Sequence, residues 1–270
     1  MKTAIKTLLL GIATSTALHL QAQVISWSFD QYGFDNAGGG TGIPVPNTSA
    51  GVVPAHNWND SWSENFSTYA YGTPVTVNNL FDNSGTTTTA SISYNSYNGY
   101  SIVGSHVGPD ADGSYNREML NGFLNAGPAT WNPPATQDSV ALNSIPYAQY
   151  NVYIYVSDDT AGRVADVSNG FATYDLSTMG SAEVSGANAL LVQSTDTTGA
   201  NPSADYVEFA GLTGSSQTFS VIPGDQNPAD AAWVGLAAIQ IVAVPEPGIM
   251  SLAFCGFGLL ALKARSARRK

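Results

Sequence analysis

The clearest strand signal in the chain is Tyr150-Asn-Val-Tyr-Ile-Tyr-Val156, near the middle of its 270 residues. Val152, Ile154 and Val156 alternate with Asn151 and two tyrosines, so the two faces of this segment differ in chemistry. Successive side chains of a strand point to opposite faces of its sheet. The alternation therefore predicts a β-strand with one face in a hydrophobic core.

Short β-rich runs of the same kind continue on both sides of this strand, separated by Gly, Asn, Asp, Ser and Pro. They predict further strands at residues 24–29, 75–81, 90–94, 139–142, 172–176, 189–193, 206–210, 218–222 and 234–242. The last of these is almost continuously apolar, which predicts a central position in its sheet. Helical periodicity is clear only at residues 117–125. The sequence thus predicts an all-β fold, a single antiparallel β-sandwich with one short helix near 117–125.

The charges of the chain are distributed unevenly. Residues 23–243 contain nineteen acidic side chains and two basic ones, Arg117 and Arg163, which gives this segment a net charge of −17. A surface this acidic repels nucleic acids and anionic polymers and attracts divalent cations. The composition therefore excludes nucleic acid as a partner. The sole cysteine, Cys255, lies outside this segment, so no disulfide is expected within it.

The start of the chain is typical of a secretory signal peptide at residues 1–22. Lys2 and Lys6 precede a mostly apolar run, which ends in a tolerable cleavage site at Ala22. Cleavage there would leave Gln23 as the new N-terminus of an exported domain. A cytosolic amphipathic helix is the alternative interpretation.

The last 27 residues, 244–270, combine three features in order. Pro245, Glu246 and Pro247 come first, an uncharged apolar run at 248–262 follows, and five basic residues end the chain. As a helix this run would cover roughly 22 Å, against about 30 Å of bilayer hydrocarbon, so it is a marginal transmembrane helix. The basic end should stay on the cytoplasmic side, which places the preceding residues across the membrane. An ordinary tail anchor and a buried hydrophobic helix are the alternatives.

The Pro-Glu-Pro motif, the glycine-containing apolar run and the Arg-Arg-Lys end together resemble the PEP-CTERM sorting signal of Gram-negative bacteria. The resemblance implies processing by an exosortase, a membrane protease-transpeptidase that is thought to recognise Pro245, Glu246 and Pro247. It also implies an organism that makes exopolysaccharide. We therefore expect an exported protein. Its C-terminal helix should hold it in the inner membrane at least transiently, before it reaches the cell surface or the extracellular space.

A second pattern lies between the two ends. An Ile-Ser-Trp-Ser-Phe strand is followed by a Trp58-Asn59 loop and by segments at 119–123, 145–155, 206–212 and 238–242. This order is similar to that of exported bacterial domains with a galactose-binding-like jelly roll. The resemblance implies a jelly-roll-like sandwich that binds carbohydrate in loops at one end. It transfers no individual binding residue to this sequence.

One loop has the chemistry of a sugar site. Tryptophan rings stack on the C–H faces of sugars, and Asn and Asp side chains hydrogen-bond sugar hydroxyls. The candidate glycan-binding residues are Asn57, Trp58, Asn59, Asp60 and Trp62. The alternative is that both tryptophans anchor a long loop to the core while the polar side chains make turn hydrogen bonds.

Calcium is the cofactor that the acidic loops suggest. Asp110, Asp112 and Asn116 place oxygen atoms at a spacing that could surround a calcium ion, although the loop lacks the final acidic residue of an EF-hand. The Asp158-Asp159 pair and residues 225–230 are similar candidates. Ordinary solvated turns are the alternative in each case.

Signatures of catalysis are absent from the sequence between the two ends. It contains no Gly-x-Ser-x-Gly elbow, no His-Glu-x-x-His helix and no cysteine nucleophile. We therefore expect a protein that is not an enzyme and that binds a polysaccharide or belongs to an extracellular matrix. A purely structural, calcium-stabilised matrix protein is the alternative, followed by a polysaccharide-processing enzyme.

Overall fold

The computed structural model describes residues 22–29, 49–60, 74–96, 98–127, 136–224 and 233–245. Within them the chain forms two sheets and two short helices. The strands are β1 (Val24–Ser28), β2 (Asn59–Asp60), β3 (Val75–Asn78), β4 (Ser91–Asn95), β5 (Asn98–Ser101), β6 (Gly122–Ala126), β7 (Asp138–Asn143), β8 (Gln149–Ser157), β9 (Val164–Ser168), β10 (Thr173–Ser177), β11 (Tyr206–Thr213), β12 (Gln217–Pro223) and β13 (Val234–Ala243). The helices are α1 (Asn116–Asn121) and α2 (Ala182–Ser185).

The two sheets confirm the predicted β-sandwich. The first has the order β11-β8-β13-β1-β2, with β6 also paired to β13 and β5 paired to β6. The second has the order β10-β9-β12-β7-β4-β3. From β10 to β13 the chain alternates between the two sheets. One pair of strands departs from the predicted antiparallel arrangement: β1 and β2 run parallel, with Trp27 opposite Asn59 and Ser28 opposite Asp60.

The central position predicted for the last strand is confirmed. β13 pairs with β8 along one side, and with β1 and β6 along the other. Nine of its ten residues are buried, since sheet neighbours and both faces cover it. Its apolar sequence therefore reflects burial on both faces of the sheet.

The alternation in β8 separates two hydrophobic clusters. Val152, Ile154 and Val156 point into the core between the sheets, as predicted. Tyr153 and Tyr155 point to the opposite face, which is also buried. We call the second group of residues the outer cluster; its largest members are Trp58, Met119, Leu120, Phe123, Tyr153, Tyr155 and Tyr206. Helix α1 and the loops around it thus form a third layer over the first sheet.

The predicted helix at 117–125 is correct only in its first half. Helix α1 ends at Asn121, and Gly122 is already extended, with φ −112° and ψ 146°. Residues 122–126 form β6 instead, because they pair with β5 on one side and with β13 on the other. The predicted strand at 189–193 does not form within the described chain, where only Gln193 makes an isolated bridge.

The two ends of the described chain lie side by side. Val24 of β1 pairs with Val242 of β13, and Ala243 N donates to Gln23 O at 2.9 Å. Among the described residues, none of the helices has the length and apolar character needed to cross a membrane. The apolar segment predicted at 248–262 and most of the predicted signal peptide lie outside the described residues.

Candidate functional site

A cleft of about 420 Å³ lies beside the start of β13. Its walls come from β5, β6, the loop between β8 and β9, and the residue that precedes β13. The lining residues are Tyr100, Phe123, Asn125, Asp158, Asp159, Thr160, Arg163 and Trp233. The cleft thus combines aromatic rings with polar and charged side chains.

The aromatic side of the cleft is built by strand pairing. Tyr100 on β5 lies directly opposite Phe123 on β6, and their ring centroids are 5.7 Å apart. Phe123 is buried, whereas Tyr100 is 45% exposed. Gly235 makes this packing possible, because a Cβ atom there would lie 2.7 Å from the Leu124 carbonyl oxygen and 2.5 Å from Phe123 Cγ. A glycine in a strand often marks such a close approach.

The polar side of the cleft is a tight turn. Asp158 Oδ1 accepts a hydrogen bond from Thr160 N at 2.9 Å, as aspartates do at the start of many turns. Thr160 Oγ1 donates to Asp159 Oδ1 at 2.9 Å. Gly162 closes the turn in the left-handed region, with φ +82°. Arg163 follows Gly162 directly, and its Nε lies 4.0 Å from Asp158 Oδ1.

A neighbouring loop holds this turn in place. The Thr178 carbonyl accepts a hydrogen bond from Gly162 N at 2.8 Å, and the Thr178 hydroxyl donates one to Thr160 O at 2.7 Å. Ser181 N donates to Asp159 O at 3.2 Å. The turn is therefore fixed by the fold, which reduces the entropy that a ligand would have to overcome.

Two buried groups give the cleft its electrostatic character. Burial raises the pKa of the Asp158 carboxyl to about 7; its contacts with Asp159 act in the same direction, and the charge of Arg163 opposes them. Asn125 is 5% exposed, and its Oδ1 receives no hydrogen bond from the described residues. Buried polar atoms are normally hydrogen-bonded, so this oxygen is suited to a donor on a ligand or water.

The geometry supports binding by stacking and hydrogen bonding. The partly exposed Tyr100 ring can lie against an apolar face of a ligand. Asp159, Thr160 and Asn125 can hydrogen-bond its polar groups. Cyclic molecules that carry hydroxyl groups, and sugars above all, have this combination of surfaces.

The sugar-binding loop predicted at residues 56–62 is placed differently. Trp58 is 1% exposed, and its indole Nε1 donates to Ala55 O at 2.9 Å. Asn59 is buried and donates through Nδ2 to Ser26 O and Phe81 O, each at 2.9 Å. Both side chains thus hold this loop against the rest of the domain through hydrogen bonds.

The other residues of that loop have separate surroundings. Asn57 adopts φ 55° and donates to Asn83 O at 2.9 Å. Asp60 is half-buried in β2, and Trp62 lies outside the described residues. None of the described members of this loop lines the cleft. A sugar-binding role for Asn57, Trp58, Asn59, Asp60 and Trp62 stays a prediction.

The predicted calcium ligands make hydrogen bonds that shape the loops around α1. Asp110 is buried and accepts from Ala189 N at 2.7 Å and from Arg117 N at 3.1 Å. Asp112 Oδ1 accepts from Ser114 N at 2.9 Å, and Asn116 Oδ1 accepts from Gly51 N at 2.8 Å. Within the described parts of the chain, no three acidic, histidine or cysteine side chains gather closely enough to hold a metal ion. Calcium binding stays a prediction.

Sequence reasoning did not single out Tyr100, Asn125 or Trp233. The Asp158-Asp159 pair is the one signal for this cleft in the sequence, where it indicates a metal-binding candidate. The aromatic residues are isolated in the sequence and line one cleft only because β5, β6 and β13 pair.

Comparisons with protein-family models, with curated proteins and with solved structures found no significant match for this chain.

Proposed function

We propose that this chain is an exported glycan-binding protein without enzymatic activity, and that its ligand binds in the cleft between Tyr100 and the 158–163 turn. The fold would be a jelly-roll-like sandwich of the galactose-binding type. The C-terminal segment would act as a PEP-CTERM signal for an exosortase and as a membrane anchor before display at the cell surface.

The observation that carries this proposal is the composition of the cleft. It brings a partly exposed aromatic ring into the same cleft as hydrogen-bonding groups that the fold already holds in position. Sugar recognition requires this combination, because each sugar ring has apolar C–H faces and a rim of hydroxyl groups. The cleft volume of about 420 Å³ is also in the range of small-ligand sites.

The position of the cleft is consistent with surface display. It lies at the start of β13, whereas the predicted anchor follows the other end of this ten-residue strand. At about 3.3 Å per residue, the strand separates the two by roughly 30 Å. A protein held at its C-terminus would therefore present the cleft on its far side, toward an extracellular polymer.

The test is affinity electrophoresis of the exported protein through gels that contain single polysaccharides. At least one polysaccharide should retard the protein, and Tyr100→Ala or Trp233→Ala should abolish the retardation. Phe171→Ala is the matched control, because it removes an aromatic ring that is 97% exposed and lies outside the cleft.

The outcomes separate the candidate functions. If the polysaccharide still retards both cleft variants, the binding site lies elsewhere on the protein, and the 56–62 loop is the next candidate. A protein that no polysaccharide retards, but that calcium stabilises against heat, would support the structural matrix role instead.

A further inference from the structure

We propose that the cleft selects glycans that carry free amino groups, such as glucosamine polymers without N-acetylation, over neutral and acidic glycans. The inference rests on the proposed function and adds the chemical class of the ligand. An ammonium group donates hydrogen bonds and carries a positive charge. The cleft is complementary to both properties.

The first argument is the imbalance between acceptors and donors in the cleft. Asp158 and Asp159 offer carboxylate oxygens, and the buried Oδ1 of Asn125 has no donor among the described residues. The Thr160 hydroxyl already donates its proton to Asp159. Each carboxyl group accepts one hydrogen bond from Thr160 and has further acceptor capacity, and Asn125 Oδ1 accepts none from the described residues. These acceptors are satisfied best by a ligand rich in donors.

The second argument is the position of the basic residues. Arg163 is the one basic residue in the lining, and its guanidinium lies beside the Asp158 carboxyl. The only other basic residue of segment 23–243, Arg117, uses Nε and Nη2 to bond Val184 O at 2.9 and 2.6 Å. An acidic sugar would therefore meet two carboxyl groups and one arginine that already faces one of them.

The third argument concerns the aromatic side. A cation within about 6 Å of an aromatic face is attracted by the quadrupole of the ring. Tyr100 is 45% exposed and lines the same cleft as Asp158 and Asp159. An amino sugar in this cleft would thus meet both the aromatic ring and the carboxyl groups.

The electrostatic field of the whole domain also favours a cationic ligand. A net charge of −17 over residues 23–243 attracts cationic polymers and repels polyuronates before contact. The buried Asp158 carboxyl, with a pKa near 7, is also a group that an adjacent ammonium would keep ionised. Long-range attraction and the local site thus favour the same class of ligand.

The experiment is calorimetric titration of the exported protein with three oligosaccharide probes of equal length. The probes are a β-1,4-linked glucosamine oligomer, its fully N-acetylated counterpart and an oligouronate. We expect the glucosamine oligomer to bind about tenfold more tightly than the acetylated one, because one charge pair and one cation–π contact together contribute about 1.4 kcal/mol. This preference should shrink at high salt.

Two variants separate a local effect from the general field. Asp159→Asn should reduce the preference for the amino sugar about threefold, since it removes one of the two carboxylates available to the ammonium group, and a single surface charge pair contributes only modestly. Glu208→Gln removes the same charge from β11, opposite Tyr153 and away from the cleft lining, and should leave the preference unchanged.

The possible results are distinct. Equal or tighter binding of the acetylated oligomer, or a preference that Asp159→Asn and Glu208→Gln reduce alike, would overturn the inference and leave the glycan-binding function intact. If none of the three probes binds, and the polysaccharide gels also show no retardation, the proposed function itself fails.

Discussion

Replacement of Glu183 by glutamine should stabilise the protein, and increasingly so as the pH rises. Glu183 lies in the first turn of α2 and is 6% exposed; Asp205, which precedes β11, is fully buried. Their carboxyl groups hydrogen-bond each other. Glu183 Oε2 and Asp205 Oδ1 have no further hydrogen-bond partner within the described structure. Two buried carboxylates this close cannot both be ionised, so the pair retains a proton.

The magnitude follows from proton linkage. Burial, followed by the charge and hydrogen bond of Asp205, raises the pKa of Glu183 from 4.5 to about 10. The unfolded chain releases this proton above pH 4.5, whereas the folded chain keeps it. The folded state therefore loses roughly 1.4 kcal/mol of stability per pH unit above the unfolded pKa, or about 3 kcal/mol at pH 7. At pH 7 the folded protein still holds this proton, so the loss of about 3 kcal/mol is determined by the distance of pH 7 from the unfolded pKa.

Glutamine resembles the protonated acid and has no proton to lose. Its amide nitrogen can donate to Asp205, and its oxygen can keep the backbone hydrogen bond at Met179. We expect Glu183→Gln to raise the free energy of unfolding by less than about 1 kcal/mol at pH 5 and by about 3 kcal/mol at pH 7.

The assay is urea unfolding of both proteins at pH 5, 7 and 8.5, with the slopes compared to verify two-state behaviour. Glu208→Gln is the control, since it makes the same chemical change at a half-buried position on β11. A stability difference that is equal at all three pH values would refute the shared-proton account. A large loss of stability at pH 7 would do so as well.

Three further substitutions test the packing around the cleft. Gly235→Ala places a methyl group against Leu124 O and should lower the free energy of unfolding by about 1–3 kcal/mol, measured by urea titration, while it weakens glycan binding. Trp58→Ala should lower the free energy of unfolding by about 3–5 kcal/mol in the same titration, because it removes a buried ring. The protein that remains folded should bind glycan normally. Lost binding without lost stability would contradict the role of Trp58 as an anchor. Gly180 has φ +78°, and a Cβ added there would lie 3.0 Å from Ala161 Cα. Gly180→Ala should therefore displace the 158–163 turn and raise the dissociation constant for the glycan. Unchanged affinity would show that this turn does not contribute to binding.

The sequence predicts those parts of the fold in which one local pattern agrees with the final environment. The alternation in β8 and the apolar run of β13 place these strands correctly, because side-chain periodicity reflects burial directly. The helix at 117–125 shows the limit of this reasoning. Its apolar face also suits β6, and pairing with β5 and β13 determines the outcome from Gly122 onward.

The candidate site was less predictable for a related reason. Trp58 and its polar neighbours have the composition of a sugar site, but the outer cluster buries the ring. The sequence does not reveal this third layer, because residues from α1 and several loops build it together. Tyr100 and Trp233 line one cleft because strands distant in the chain pair with each other, which composition and local spacing do not encode.

The most direct test of the proposed glycan-binding cleft is a crystal structure of the protein with the oligosaccharide that it binds most tightly. The account predicts a sugar ring within about 4 Å of the Tyr100 ring, with polar groups bonded to Asp159 and to Asn125 Oδ1. A sugar bound elsewhere on the domain, with the cleft between Tyr100 and Trp233 unoccupied, would contradict it.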